Sequence, residues 1–299
     1  MNNTKPKAKK TSKQTNLIPF PICFFGHRRR KLARFVIECL KKNLKMTGYK
    51  PVFIFGNCGK DEDYRTQVID AIKENFGEKA FHCVFDCPGV EGLHNGLNQA
   101  MNRCIEEAFK IFPMTLRLED DWVLQKELDI GPWINLCLQD NVAGVRLGQI
   151  GISPEQVKPY RPDLGLDWLD YKPQARYPIN HQVFLIHKRV YDLVGNYNEQ
   201  MNIDEAEFSF GRRFRVRCKS FQDPNYPKVL WPHGQPLDID PHQERFFQHG
   251  GYSSPALKHD YFSLAIPEYL IPYQEPDDQA RIDEIKKRMK EDEPQGKNP

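Results

Sequence analysis

Three consecutive acids, Glu119-Asp120-Asp121, interrupt an otherwise apolar stretch of the chain. Apolar residues dominate positions 114–118 before them, and Trp122-Val123-Leu124 follows at once. Adjacent carboxylates repel one another and suit a strand interior poorly, so acids placed between apolar segments indicate a strand end that faces a cation. Mg²⁺ and Mn²⁺ take oxygen ligands of this kind. A solvated acidic turn is the alternative interpretation.

The segment before the triplet favours the cation. Apolar side chains recur there at helical spacing, at Leu93, Leu97, Ala100, Met101, Cys104, Ile105, Ala108 and Phe112. An amphipathic helix over residues 92–109 therefore leads into a short apolar strand that ends in carboxylates. Ligands of parallel α/β sheets bind at the carboxyl ends of strands, so the triplet lies where a nucleotide would bind.

Strands and helices alternate along the first half of the chain, which is typical of a parallel α/β sheet. The pattern predicts strands at residues 21–25, 51–55 and 80–85, with helices at 31–46 and 63–76. Beyond the triplet it predicts helices at 132–138 and 189–194 and strands at 142–147 and 182–187. Residues 151–178 are expected to form a long loop over a site, and 219–259 show little periodicity.

The order of these elements resembles the GT-A glycosyltransferases, and the inverting family 2-type enzymes are the closest match. The resemblance rests on the Gly-rich start of the helix, on Asn102 within it and on the triplet, which reads E-x-D rather than D-x-D. It covers roughly residues 20–255. It implies an α/β fold of the GT-A, Rossmann-like type, in which a mostly parallel sheet is flanked by helices and a less regular acceptor half follows.

The expected domain organisation is a single GT-A domain over residues 20–273, with a nucleotide-binding half at about 20–125 and an acceptor half at about 126–273. Residues 1–19 are predicted to be a disordered basic tail and 274–299 a charged tail with one helix from Asp277 to Lys290. No secretory signal and no apolar membrane span is visible, and the eight cysteines lack zinc-ribbon spacing, so a soluble, cytoplasmic protein with reduced thiols is expected.

The resemblance assigns metal ligands and a nucleotide contact to the triplet. Asp121 is expected to bind Mn²⁺ or Mg²⁺ at the diphosphate of the nucleotide sugar, with Glu119 as a second ligand and Asp120 on the nucleotide. A C-terminal histidine often completes the metal site of such enzymes. The segment around His249 resembles that closing segment, and His233 is the rival.

Other side chains are expected to contact the nucleotide-diphosphate sugar. Arg28 and Arg30 follow the first strand, where the family places its nucleotide and where a guanidinium can grip a phosphate; a solvated helix start is the alternative. Asn57 and Asp86 end the second and third strands, at positions that face a ligand. Asn102 joins this group through the resemblance.

Residues 202–213 resemble the acidic element that supplies the family's catalytic base. Asp204 and Glu205 form the pair, Glu205 takes the base position and Glu207 is a rival. An inverting transfer needs one carboxylate to accept the proton of the acceptor hydroxyl. Acids in the first turn of a helix also stabilise the helix dipole, which is the structural alternative.

The sequence thus predicts a hexosyltransferase-like enzyme that moves a sugar from a nucleotide-diphosphate sugar to a glycan or other hydroxyl acceptor, with inversion by a single displacement. Tyr160, Trp168 and Tyr171 are expected to stack on a sugar or, alternatively, to pack a loop onto the core. No nucleic-acid module is visible despite the basic tail, so a nucleic-acid partner is not expected.

Two other functions remain open. A non-catalytic nucleotide-sugar or glycan binding protein on the same fold is compatible with the E-x-D departure. A sugar-phosphate nucleotidyltransferase should carry a Gly-rich phosphate loop after the first strand, where this chain has the single glycine Gly26. The donor sugar, the acceptor and the oligomeric state are not set by these motifs.

Overall fold

The structure is a computed structural model, and it describes residues 16–90, 95–148, 157–169, 179, 182–217, 227–233, 235, 245–249 and 268–276. The strands are β1 (Ile18–Gly26), β2 (Leu44–Lys45), β3 (Tyr49–Asn57), β4 (Phe81–Asp86), β5 (Met114–Glu119), β6 (Trp122–Leu124), β7 (Leu128–Asp129), β8 (Val142–Arg146), β9 (Val157–Arg161), β10 (Leu166–Leu169), β11 (Phe184–His187), β12 (Lys228–Pro232) and β13 (Phe247–His249). The helices are α1 (Arg30–Asn43), α2 (Glu62–Phe76), α3 (Gly96–Ile111), α4 (Gly131–Gln139), α5 (Lys188–Val194) and α6 (Ile203–Arg217). Short 3₁₀ segments cover Glu78–Ala80, Pro162–Leu164 and Glu268–Tyr273.

Nine of the strands form one sheet in the order β4-β3-β1-β5-β11-β8-β12-β10-β9. Strands β4, β3, β1 and β5 pair in parallel, and β11 and β10 run against their neighbours. The predicted fold class, an α/β fold with a mostly parallel sheet flanked by helices, is confirmed. The GT-A expectation agrees with this architecture.

Helices cover both faces of the sheet because each strand alternates its apolar side chains between two cores. In β1, Phe20, Ile22 and Phe24 belong to the core under α1, α2 and α4, whereas Cys23 and Phe25 belong to the core under α3, α5 and α6. The same alternation in β5 places Leu118 in the first core and turns its neighbours Arg117 and Glu119 towards the second face.

The register of the parallel strands brings three predicted ligand positions, Glu119, Asn57 and Asp86, to one edge. Phe25 pairs with Glu119, Gly26 with Asn57, and Asn57 with Asp86. The carboxyl ends of β5, β1, β3 and β4 therefore lie side by side. With a strand spacing of about 4.8 Å, the outer two of these ends are roughly 14 Å apart.

The prediction of a structureless loop over residues 151–178 is wrong for its described part. Residues 157–169 form β9 and β10, an antiparallel pair that extends the sheet beyond β12. Tyr160 and Trp168 pack against the core, and the Tyr160 hydroxyl donates to Asp140 over 2.8 Å. These contacts favour the packing role over the sugar platform, and Tyr171 lies outside the described residues.

Strands also occur where little periodicity was expected. Residues 219–259 contain β12, which pairs with β8, and β13, which pairs antiparallel with β6. At the other end of the chain β1 begins at Ile18, inside the predicted tail. The helix predicted from Asp277 lies outside the described residues. None of the described helices has the length and apolar character needed to cross a membrane.

Candidate functional site

The acidic triplet lies at the turn between β5 and β6, where the parallel half of the sheet ends. Asp120 and Asp121 are buried, and Glu119 is half-buried. Asp120 donates its backbone N–H to the Phe25 carbonyl over 2.7 Å, which ties the turn to the end of β1. The predicted strand end is therefore present. Because its acids are buried or half-buried, the alternative of a solvated acidic turn does not apply.

Asp120 is held by three donors from elsewhere in the chain. Its Oδ2 accepts from the backbone N–H of His27 over 3.0 Å and from the Tyr64 hydroxyl over 2.7 Å. Its Oδ1 lies 3.1 Å from Nη1 of Arg29. A Cβ at Gly26 would collide with the Tyr64 hydroxyl and with Asp120, so only glycine fits there. Asp120 thus organises the turn after β1.

Asp121 faces a histidine from the other end of the chain. Antiparallel pairing of β13 with β6 sets His249 opposite Trp122 and places its Nε2 3.3 Å from Oδ2 of Asp121. The same oxygen lies 2.7 Å from Nη1 of Arg29. The other oxygen, Oδ1, is buried and has no hydrogen-bond partner among the described residues. Two predicted metal ligands are therefore adjacent. His233, the rival, instead pairs with Asp167 over 2.9 Å.

Burial and crowding shift the pKa values of the triplet. Burial, followed by the charges of Asp121 and Glu207, raises the pKa of Glu119 well above its usual range. Burial raises the pKa of Asp120 to about 6, and Arg29 opposes that rise. Burial would also raise the pKa of Asp121, but Arg29 and His249 outweigh it and lower that pKa.

The donor set fits a hard divalent cation. Asp121 offers one buried carboxylate oxygen with no described partner, and His249 offers a ring nitrogen beside the second oxygen. No group of three or more potential ligands from His, Cys, Asp and Glu converges within the described residues. Such a cation commonly takes one or two protein ligands and completes its shell with phosphates and water.

Asn57 and Asp86 meet at the edge next to the triplet. Asn57 Nδ2 donates to Asp86 Oδ1 over 2.9 Å, and Arg65 pairs with Asp86 Oδ2 over 3.0 Å. Asn57 is buried, and its Oδ1 has no partner in the described part of the chain. The two residues therefore present an unpaired amide oxygen and an exposed carboxylate at the ligand edge.

The predicted arginines occupy different surroundings. Arg30 pairs with Asp61 over 2.6 Å through its guanidinium. Arg28 is exposed and holds a left-handed backbone conformation, φ 64°, which is uncommon for residues with a Cβ. Arg29, between them, is the arginine that reaches the acidic triplet.

The side chain of Asn102 makes its hydrogen bonds to other residues of the protein. Its amide donates to the Tyr197 carbonyl over 3.0 Å and to the Glu199 carboxylate over 2.8 Å, and it accepts from the Tyr197 N–H over 2.9 Å. Asn95, the N-cap of α3, and Asn98, one turn before Asn102, donate to the carbonyls of Glu199 and Met201 respectively. Three asparagines thus pin residues 197–201, the segment that enters α6.

The acids of α6 differ in exposure. Asn202 caps the helix by accepting from the Glu205 N–H over 2.9 Å. Glu205 is exposed, whereas Asp204 and Glu207 are half-buried. The charge of Glu207 contributes to the raised pKa of both Glu119 and Tyr197. Glu207 is therefore a candidate base beside Glu205, the first choice from the sequence.

Sequence reasoning missed Arg29, His27 and Tyr64, which contact Asp120. The backbone of His27 and the hydroxyl of Tyr64 hold Asp120, and nothing in the local sequence marks either one. The asparagines of α3 did leave a signal, because residues 95, 98 and 102 recur at helical spacing on a face that is otherwise apolar.

Comparison with known proteins gives structural similarity without sequence similarity. No protein-family model matches the chain, and no curated protein matches its sequence. Solved structures with a similar fold include a mannosyltransferase from Pyrobaculum calidifontis in complex with GDP-Man and Mn²⁺, at 9% identity and TM-score 0.47 over 73% of this chain and 56% of that one. TarS from S. aureus is similar at 11% identity and TM-score 0.49 over 90% of this chain and 69% of that one. GalNAc-T7 with UDP, GalNAc and Mn²⁺ is similar at 13% identity and TM-score 0.46 over 75% and 47%.

These similarities concern the fold. The chain spans 56% of the mannosyltransferase and 47% of GalNAc-T7, so much of each of those proteins has no counterpart in the matched region. The chemistry of this chain has to be argued from its own residues.

Proposed function

We propose that this chain is a metal-dependent glycosyltransferase that moves a sugar from a nucleotide-diphosphate sugar to a hydroxyl group of a glycan or other acceptor. The observation that carries the proposal is the meeting of Asp121 and His249 at the end of β5, where Asp121 keeps a buried oxygen with no described partner. A buried carboxylate oxygen is costly to leave unpaired, so this arrangement favours a cationic ligand.

The nucleotide would lie along the carboxyl ends of β5, β1, β3 and β4. Asn57 and Asp86 offer acceptors for the base or ribose at one end of this edge, and the triplet lies at the other. The edge between them is roughly 14 Å long, from three strand spacings, which an extended nucleoside diphosphate can follow. Asp120, fixed by His27, Tyr64 and Arg29, shapes the turn beneath it.

Asp121 and His249 would hold Mn²⁺ or Mg²⁺, with Glu119 as a further candidate. The cation would stabilise the negative charge that develops on the leaving diphosphate. The burial of Asp120 and Asp121 keeps water away from the carboxylates and strengthens their interaction with any positive charge.

Glu207 is our choice for the general base, with Glu205 and Asp204 as alternatives on the same helix. In an inverting single displacement, the acceptor oxygen forms a bond to the anomeric carbon as the bond to the diphosphate breaks. The hydroxyl proton passes to the carboxylate, and the electron pair leaves with the nucleoside diphosphate. Glu207 is half-buried, whereas Glu205 is exposed, and the charge of Glu207 contributes to the raised pKa of Glu119.

The test is the release of nucleoside diphosphate from a panel of UDP-, GDP- and other nucleotide sugars in the presence of Mn²⁺. We expect one donor to be turned over, with loss of turnover in EDTA and in Asp121→Asn. Asp70→Asn, the same substitution at an exposed position of α2, serves as the control and should behave as the native protein.

Two results would contradict the proposal. If no donor is turned over but one raises the melting temperature, the chain binds nucleotide sugars without catalysis, which was the alternative left open by the sequence. If a donor is turned over equally well in EDTA and by Asp121→Asn, the reaction does not use the cation site described above.

A further inference from the structure

A positively charged side chain of the protein, Arg29, already contacts the carboxylates that would bind the cation. Nη1 of Arg29 lies 3.1 Å from Oδ1 of Asp120 and 2.7 Å from Oδ2 of Asp121. The two carboxylates are 1% and 4% exposed, and the Arg29 side chain is 26% exposed. One guanidinium nitrogen therefore bridges two buried acids from the open side of the site.

The turn after β1 is built to deliver this guanidinium. The His27 N–H is bound by Asp120, Arg28 takes the left-handed backbone conformation, and Arg29 then becomes the residue before α1. A left-handed conformation costs energy in a residue with a Cβ, so the surrounding contacts enforce it. Arg29 is thus held at the carboxylates by its backbone as well as by its charge.

A divalent cation would compete with Arg29 for the same group. Oδ2 of Asp121 is shared between Arg29 and His249, whose Nε2 lies 3.3 Å away. A cation bound by Asp121 and His249 would stand within a few ångströms of the guanidinium, where like charges repel strongly in a partly buried site. The Arg29 guanidinium would have to move away before the cation could bind both carboxylate oxygens of Asp121.

We propose that Arg29 is a resident counter-ion of Asp120 and Asp121 that competes with a divalent cation for Asp121. The free protein then holds the cation weakly, and tight binding requires the negative charge of a bound diphosphate. This inference rests on the proposed function, because it concerns the cation of the proposed transfer reaction. Arg29 acts through Asp121 and is a positioning residue.

The experiment is a titration with Mn²⁺ alone, without nucleotide, in which free Mn²⁺ is measured by electron paramagnetic resonance. Arg29→Gln and Arg29→Met remove the charge at similar length, so either suffices if the other does not fold, as judged by circular dichroism. We expect a neutral variant to bind Mn²⁺ about ten-fold more tightly than the native protein, since it removes a like charge a few ångströms away.

Three controls assign the effect. Arg34→Gln makes the same charge change on the exposed face of α1, where Arg34 pairs with Glu38 and Glu74, and should leave the Mn²⁺ affinity within about two-fold of native. Arg29→Lys keeps the charge and should stay close to native. Asp121→Asn added to Arg29→Gln should abolish the gain.

A merely structural role for Arg29 predicts the opposite sign, because loosening the turn would weaken the cation site. Mn²⁺ affinity that is unchanged or lower in both neutral variants would overturn the inference, and the donor assay would still stand on its own. If the gain appears but no donor is turned over, the competition is real and the transferase proposal fails separately. Binding of Mn²⁺ to none of the proteins would overturn the inference and the cation assignment together.

Discussion

The side chain of Asn102 forms hydrogen bonds with both backbone polar groups of Tyr197. Its Nδ2 donates to the Tyr197 carbonyl over 3.0 Å, and its Oδ1 accepts from the Tyr197 N–H over 2.9 Å. The Tyr197 ring in turn stacks on Phe210 of α6 with centroids 4.2 Å apart, and its hydroxyl accepts from Arg117 over 2.7 Å. A side chain on α3 therefore fixes the segment that places α6, and with it Glu207, against the end of the sheet.

Asn102→Ala should destabilise the protein and slow the transfer reaction. The substitution removes the two hydrogen bonds that the Asn102 side chain makes to the N–H and the carbonyl of Tyr197, at about 1–2 kcal/mol for each bond. We expect the free energy of unfolding in urea to fall by about 2–4 kcal/mol. The folded protein should show a lower kcat with unchanged Mn²⁺ affinity, because α6 moves and Asp121 does not.

Asn43→Ala is the matched control for this prediction. Asn43 Nδ2 donates to the Leu124 carbonyl over 2.7 Å, so the variant removes one amide-to-backbone bond far along the chain from α6. The free energy of unfolding of Asn43→Ala should fall by about 1 kcal/mol, and its kcat should stay unchanged. Equal effects of the two substitutions on stability and on kcat would show that the Asn102 contact has no special role in placing α6.

Glu207→Gln should lower kcat by about 10²–10⁴-fold, the usual contribution of a general base. Glu205→Gln, the same change two residues earlier on the exposed side of α6, should lower kcat by less than about three-fold. Both rates are measured with saturating donor and Mn²⁺. Donor binding should survive in both variants, since the nucleotide lies along the strand ends. A large loss in Glu205→Gln with little change in Glu207→Gln would restore the first choice made from the sequence.

The first half of the fold was predictable because its signals are local. Except for the two-residue β2, which falls inside the helix predicted for residues 31–46, each helix and strand up to β5 shows its hydrophobic period within one short segment. The acids after β5 stand out from that pattern. The roles of Arg29, Tyr64 and His27 could not be predicted, because each depends on a contact with Asp120 more than fifty residues away. Among three consecutive arginines, only the turn geometry selects Arg29.

In the second half, α4, β8, β11 and α5 lie close to their predicted positions, whereas β9, β10, β12 and β13 escaped prediction because they are short and lack a clean alternation. Strand β9 contains Pro159 and has no buried residue, which fits the edge of a sheet. Strand β13 has three residues and exists through its pairing with β6. His249 was nonetheless assigned through the resemblance, whereas its place beside Asp121 required the tertiary structure. The position of α6, which carries Asp204, Glu205 and Glu207, likewise depends on the contacts of α3 with residues 197–201.

Glu275→Ala should destabilise helix α1 from the far end of the chain. Oε1 of Glu275 accepts from the Arg30 N–H over 2.8 Å, and no side chain next to α1 in sequence caps its first turn. An acid at a helix N-terminus satisfies a free N–H and opposes the helix dipole. We expect the free energy of unfolding to fall by about 1 kcal/mol in urea, and by less for Glu275→Gln, which keeps an acceptor.

The matched control is Glu74→Ala, which removes a surface carboxylate on α2 that pairs with Arg34 over 2.7 Å. Both partners of that pair are more than half exposed, so its loss should cost less than about 0.5 kcal/mol. The stacking of Tyr273 on Phe35, with centroids 4.0 Å apart, should keep the segment docked in both variants. A Glu275→Ala variant as stable as the control would mean that the cap contributes nothing.

His187 should make the stability of the protein fall as the solution is acidified. The His187 ring caps α5 by accepting from the Arg189 N–H over 3.0 Å, and burial together with the Arg189 charge lowers its pKa from 6.5 to about 4. The unfolded chain therefore takes up a proton before the folded chain does. The contribution of neutral His187 to the stability of the folded protein is complete above pH 6.5. It declines as the pH falls from 6.5 to about 4 and does not change further below about 4.

His187→Asn isolates this contribution, because asparagine is a good helix cap and does not titrate in this range. Urea unfolding at pH 7.5 and pH 5 gives the loss of stability for each protein, and other titrating groups cancel in the comparison. We expect the native protein to lose about 1 kcal/mol more than the variant, a value reduced from the full pKa shift because the ring is only partly buried. Equal losses in the two proteins would show that His187 titrates alike in the folded and unfolded chains.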